Sequence, residues 1–265
     1  MPLFDFSLRS LPDVAPWDRE NTPRLHWFGL TDGTYSIEAG QSRLFQYTPQ
    51  FLEYLATDPA RGDCVDYYVI RLYEDLLQLL PDILQSIPIE AHLLISDVEK
   101  QRAWVERMRH IFEAAETPEL ENLHNEASMW FHYRQLDAGY LTQCPKIWFW
   151  RFDDQIFIRW DNEARQRDGI PVWTATAGEY SMPTEIFLAE VDSFHFRLMK
   201  GMSERIQEIR ERNPIPHVQI NLDELIQEHI KRKQSLARAL AARPDKVDWA
   251  QTLAANEQLS KLRPD

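Results

Sequence analysis

Residues 3–47 alternate apolar and polar side chains with a period of two, the pattern of half-buried strands. Residues 3–8 (LFDFSL) read as a first strand and residues 24–30 (RLHWFGL) as a second, after a proline-rich connection. Thr31, Asp32 and Gly33 supply turn chemistry. Residues 34–38 and 43–47, divided by Ala39, Gly40, Gln41 and Ser42, continue an antiparallel meander. From Pro49 to Gly139 the period lengthens toward 3.6. Val65, Tyr68, Val69, Leu72, Leu76, Leu79, Leu80 and Ile83 predict one long amphipathic helix, which Pro81 should kink or divide. Ser96 and Glu99 have capping-box spacing ahead of Trp104, Met108, Ile111 and Phe112. A further helix is expected over residues 119–137, with Gly139 as its stop.

Residues 146–152 and 155–160, joined by Asp153 and Asp154, form the clearest hairpin in the chain. Both its faces carry apolar residues, so a central position is expected. Residues 171–174 and 178–181 suggest another strand pair. Ser181 or Thr184 can open a helix reaching Arg212, Asn221 with Glu224 opens another, and Asp248 a short last one. Strands and helices thus come in blocks rather than strict alternation, which predicts an α+β fold with a mostly antiparallel sheet packed against long amphipathic helices. A single domain over residues 1–265 is expected, with the natural seam for any subdivision between residues 142 and 143.

Composition narrows the function classes. Of 265 residues, 44% are apolar and nine are Trp, which excludes a disordered chain. Only eight are Gly, leaving little material for phosphate-cradling loops. The net charge of −13 repels phosphate backbones, so no nucleic-acid partner is expected. The acidity lies in residues 1–200, with 18 basic and 32 acidic side chains; residues 201–265 hold 11 and 10. Residues 110–133 contain no Lys or Arg but include Glu113, Glu116, Glu119, Glu121 and Glu126. Such a run fits a solvated helix face, a docking surface for a basic partner, or both. Cys64 and Cys144 stand in no motif and are expected to be buried and reduced. No basic leader precedes an apolar segment and no apolar run approaches 18 residues, so a cytosolic protein without a membrane partner is expected.

Positive signs of chemistry are few. None of the eight His forms the pair around a Glu that a zinc hydrolase helix requires, so neither a metal nor a cofactor is expected. His124 and His132, eight residues apart, can share a helix face, while His195 reads as a helix-face residue. No serine occupies a nucleophile elbow. Asp153, Asp154 and Asp161 beside the aromatic hairpin allow an acid/base pair in principle, but abundant carboxylates make such pairs cheap, and a turn-forming, solvated role is the expected one, with partner recognition between the two. Arg71 and Asp75 have the i, i+4 spacing of a surface ion pair. Trp148, Trp150, Trp160 and Trp173 suit a core or an aromatic hot spot.

Several blocks together carry a resemblance: residues 25–33 (LHWFGLTDG), 65–68 (VDYY) with Arg71, 133–140 (YRQLDAGY), and 170–174 (IPVWT). The chain resembles a bacterial family of cytosolic proteins of about this length, catalogued as a domain of unknown function. The resemblance implies a single domain and no particular activity. The residues themselves lead to a first expectation, a non-enzymatic cytosolic immunity protein. It would bind the toxin domain of a secretion-system or polymorphic effector and occlude its active site, because acidic inhibitors associate quickly with basic substrate grooves. The expected partner-binding residues are Glu113, Glu116, Glu119, Glu126, Asp153, Asp154, Trp160 and Asp161. The alternatives are a motif-free enzyme, such as a carboxylate-based hydrolase, and an oligomeric structural protein.

Overall fold

The computed structural model describes residues 1–19, 22–56, 62–114, 117–245 and 247–262. After β1 (Phe4–Leu8), β2 (Trp17–Arg19) and β3 (Thr22–Arg24) form a small ladder of their own. The centre of the first sheet is β4 (Asp32–Ala39), with β1 along one side and β5 (Ser42–Leu44) and β6 (Val65–Tyr68) sharing the other, all antiparallel. Residues 25–31 are not the expected strand. They turn instead, with Leu30 N donating to His26 O and Thr31 N to Phe28 O, while Leu25, Trp27 and Leu30 are buried. A turn can bury alternate residues as a strand does, and the period alone does not separate the two. Gly33 is likewise a strand residue rather than a turn residue. It pairs with Leu8, and a Cβ there would lie 2.1 Å from the Ser7 carbonyl oxygen, so glycine is what lets these two backbones close.

After α1 (Pro49–Tyr54), the expected long helix divides at its start. Residues 65–68 extend the first sheet as β6, and only α2 (Val69–Leu84) is helical. The free edge of β4 claims Val65 and Tyr67, whose branched and aromatic side chains suit a pleated surface. α2 continues through Pro81, which lies within its last turn and leaves the helix undivided. Next come α3 (Ile89–Ile95), α4 (Val98–Ala114) and α5 (Pro118–His132). Ser96 closes α3, donating its hydroxyl to His92 O, and Asp97 caps α4 by accepting Lys100 N at 3.0 Å. α5 stops short of the expected residue 137 because the following segment joins the second sheet, with Phe149 N donating to Arg134 O and Leu136 N to Ile147 O.

That sheet has β7 (Ile147–Phe152) and β8 (Gln155–Asp161) as its hairpin. β9 (Gln166–Arg167) and β10 (Ile170–Pro171) pair with each other, and β11 (Ala177–Pro183) adds to β8. The expected pairing of residues 171–174 with 178–181 is therefore replaced, and Trp173 bridges to Tyr47 instead. The chain continues through α6 (Thr184–Arg212), α7 (Leu222–Arg232), α8 (Ser235–Ala241) and α9 (Trp249–Lys261). α2 packs on β4 and β7, and α6 on β1, β8 and β11, so these two helices bind both sheets. The resulting apolar cluster runs from Leu3 to Leu236 and draws on both sides of residue 142. The fold is α+β with antiparallel sheets. Among the described residues no helix is long and apolar enough to cross a membrane.

Candidate functional site

α4 and α5 are amphipathic helices that face each other without filling the space between them. Thr117 starts α5, its hydroxyl accepting Leu120 N, and Asp97 starts α4. Met108, Ile111 and Ala127 pack with Ala255 and Leu259 of α9, which anchors the pair from behind. In front lies a groove of about 540 Å³ whose walls are mainly apolar: Trp104, Met108 and Phe112 on one side, His124, Ser128 and Phe131 on the other. His124 stacks on Trp104 with ring centroids 5.5 Å apart and meets Phe112 edge-on. Burial holds its imidazole below the ordinary pKa, so it is neutral at pH 7. His124 and His132 do share a face, with Ser128 one turn from each, and all three line the groove. Ser128 is only 3% exposed, yet its Oγ has no hydrogen-bond partner, and neither has the buried Nε1 of Trp104. Nothing in the linear pattern announced this groove, although the His124 to His132 spacing was its one legible trace.

The acidic candidates scatter. Glu113 bonds Arg109 at 2.5 Å, a guanidinium that Glu106 also holds. Glu116 lies outside the described residues. Glu119 and Glu126 are exposed on α5 and make no ion pair with a described residue; Glu121, which belongs to the same acidic run but not to the expected contact residues, is the same. Glu119, Asn122, Glu126 and Met129 follow one another at helical spacing along the solvent side of α5, and Met129 is 38% exposed. Asp153 and Asp154 shape the β7–β8 turn. Asp153 has φ 51°, its carbonyl accepts Arg151 Nε, and the Asp154 carbonyl receives Thr184 N at the start of α6. Both carboxylates face solvent.

Two of the expected contact residues are not available to a partner. Trp160 is buried in the main core, and Gly178 closes against its ring. Trp148, Trp150 and Trp173 are buried as well, so the aromatic hairpin is core and offers no hot spot. Asp161 is occupied by the Arg102 guanidinium, which donates from Nε at 3.0 Å and from a terminal nitrogen at 2.6 Å, tying α4 to β8.

A second group of ionisable residues forms where β4, β6, α2 and the 133–140 block meet. The Arg71 and Asp75 pair, expected at the surface, is not there: Asp75 is 4% exposed, 3.6 Å from Arg71, with Oδ2 unpartnered. Burial pushes its carboxyl up to about 7, against the pull of Arg71 and the Tyr140 hydroxyl. Tyr140 stacks on Tyr67, lies under the Arg71 guanidinium and approaches the Tyr35 hydroxyl at 3.3 Å. Blocks far apart in sequence thus build one corner, which the i, i+4 spacing alone reduced to a surface pair.

Cys64 and Cys144 are free and half-buried rather than fully buried. Burial and Asp63 push the Cys64 thiol up to about 12, leaving it unreactive at neutral pH. Among the described residues no group of three or more His, Cys, Asp or Glu stands ready to hold a metal ion.

Comparison with curated proteins gives no match, and comparison with solved structures gives none either. A family profile does match, over residues 3–255, nearly the whole chain and all the blocks that meet around Asp75. The chain therefore belongs to DUF5984, a family of unknown function.

Proposed function

We propose that this chain is an immunity protein that binds a toxin domain and blocks its active site. The observation that carries the reading is the solvent stripe of α5, where Glu119 and Glu126 stand exposed and without a described cation partner, in a stretch of chain that has no Lys or Arg. Carboxylates left free in this way attract a basic surface and speed encounter more than they add affinity. Many toxins that act on nucleic acids carry such a surface as their substrate groove, and a body of this size seated on it excludes substrate. Met129 supplies an apolar contact inside the stripe, and the exposed Asp153 and Asp154 offer a second acidic point.

The test is co-expression with the product of the adjacent reading frame, which this reading requires to carry a toxin domain. Growth rescue and a stable complex are expected from the wild type. Glu119→Lys with Glu126→Lys should slow association about tenfold or more at low salt, and the difference should shrink as salt rises. A wild type that neither rescues growth nor forms a complex refutes the reading.

One observation favours a second reading, acid/base catalysis: Asp75 is a carboxyl poised near neutrality beside Arg71 and Tyr140. Turnover of a small molecule that Asp75→Asn abolishes would establish it in place of the first.

A further inference from the structure

A cavity of about 610 Å³, within the usual range for small-molecule sites, opens where α4 meets the start of β7 and the turn after β8. Asn162 builds its wall. This residue is 5% exposed; its side-chain Oδ1 accepts Lys146 N at 2.9 Å, and its carbonyl accepts Arg165 N at 2.8 Å. One buried asparagine thus ties together the backbones of two cationic residues, and both line the cavity. Their side chains are half-buried and make no hydrogen bond or ion pair with a described residue. Neither is sealed off, because none of their nitrogens is a fully covered atom, so a ligand seated in the cavity reaches them.

The other charges of the cavity are already spent on one another. Arg102 holds Asp161 at 2.6 Å and Glu163 at 2.9 Å, and Glu106 is taken by Arg109. A chain of net charge −13 has carboxylates in excess, yet no described one lies within ion-pair distance of Lys146 or Arg165. Burial and the neighbouring Arg165 hold the Lys146 ammonium below its ordinary pKa, against the weaker pull of Asp161, as befits a cation short of a counter-charge. An anion between the two relieves both. Asp161 and Glu163 on the same wall repel a second negative charge, which disfavours a phosphate dianion. Val105, Trp148 and Ala164 give the cavity an apolar side. We infer that this cavity binds a small organic monocarboxylate, whose oxygens accept from the Arg165 guanidinium and the Lys146 ammonium while its apolar body lies against Val105, Trp148 and Ala164. The inference does not rest on the immunity reading, since it requires no toxin.

The experiment titrates the full chain with benzoate by isothermal calorimetry. Benzamide serves as the uncharged isostere, and phenyl phosphate, at about pH 8, as the dianion. Saturable one-to-one binding of benzoate is expected, with benzamide and phenyl phosphate about tenfold weaker or more. Arg165→Gln and Lys146→Gln should each weaken benzoate about five- to tenfold, with thermal melting followed for both. Benzoate should also slow acetylation of Lys146 by acetic anhydride, read by peptide mass spectrometry, and leave the exposed Lys200 unaffected. Absence of saturable benzoate binding overturns the site, as does equal binding of benzamide. Full affinity in both folded variants, or acetylation of Lys146 at an undiminished rate, puts the anion elsewhere and overturns it too. Tighter binding of phenyl phosphate than of benzoate overturns the carboxylate. If a variant does not fold, protection of Lys146 in the wild type decides.

Discussion

Asp75 shows how much one burial changes. On α2 its neighbours in sequence make it an ordinary partner for Arg71, but the sheet and the 133–140 block close over it and push its carboxyl from 3.8 up to about 7. A folded-state pKa above that of the unfolded chain means that the folded protein holds the proton more tightly. This contribution to stability is full below about pH 4 and is lost as pH rises through 7. Asp75→Asn keeps the shape and removes the titration. At pH 8 the variant should exceed the wild type by about 1–2 kcal/mol, a figure that allows for water around Arg71 and Glu74, while below pH 4 the two should converge. Urea unfolding at pH 3.5, 6 and 8 checks this, and a variant less stable at pH 8 refutes the account. The Arg71 to Asp75 spacing was legible in the chain; its burial was not, because it depends on Tyr35, Tyr67 and Tyr140 arriving from three other segments.

Elements here are held in place by buried arginines. Arg159 on β8 is fully buried and donates to the carbonyl of Ile95, the last residue of α3, and to Gln101 on α4. Arg205 on α6 donates to Leu30 O, and Arg134 donates to Trp130 O in the last turn of α5. At helix C-termini such cations satisfy carbonyls that have no partner within the helix and complement the negative end of the dipole. Arg159→Met should therefore leave Ile95 O and Gln101 unpaired, cost about 2–4 kcal/mol, and loosen α3 and α4 from the sheet. Hydrogen exchange should then rise first in residues 89–114. Exchange raised evenly across the chain would refute a local role for Arg159. Helix starts were legible where a side chain caps them, at Asn221 and Asp248. The start of α2 was not, because β4 offered residues 65–68 hydrogen bonds that a local pattern cannot register.

For the molecule as a whole, pH acts in two directions. His229 is buried, its Nδ1 accepting the Trp27 indole N–H at 3.3 Å and its Nε2–H donating to Ser203 Oγ at 2.7 Å, a pairing available only to the neutral ring. Its pKa falls to about 4, through burial and Lys233. Here the unfolded chain binds the proton more tightly, so stability is lost as pH falls from about 6.5 through 4, the reverse of Asp75. Burial lowers His92, His124, His132 and His195 too and adds to the same loss. The wild type should consequently show a flatter stability profile between pH 4 and 7 than Asp75→Asn, in which the histidines act unopposed. His229→Asn, which retains an acceptor for Trp27, should lose about 1–3 kcal/mol less than the wild type over the fall from pH 6.5 to 4. An unchanged acid limb would refute neutral His229 as a source of acid sensitivity.

The α+β class, the aromatic hairpin as core, most helix starts and the charge carried by residues 1–200 follow from the linear order alone, because periodicity, caps and composition are local quantities. Which strand takes residues 65–68, how Asp75 is enclosed, which tryptophans stay dry and where α4 and α5 leave a groove were decided only on packing. Each depends on the burial and hydrogen bonding that distant segments impose on one another, and no window of sequence contains both partners.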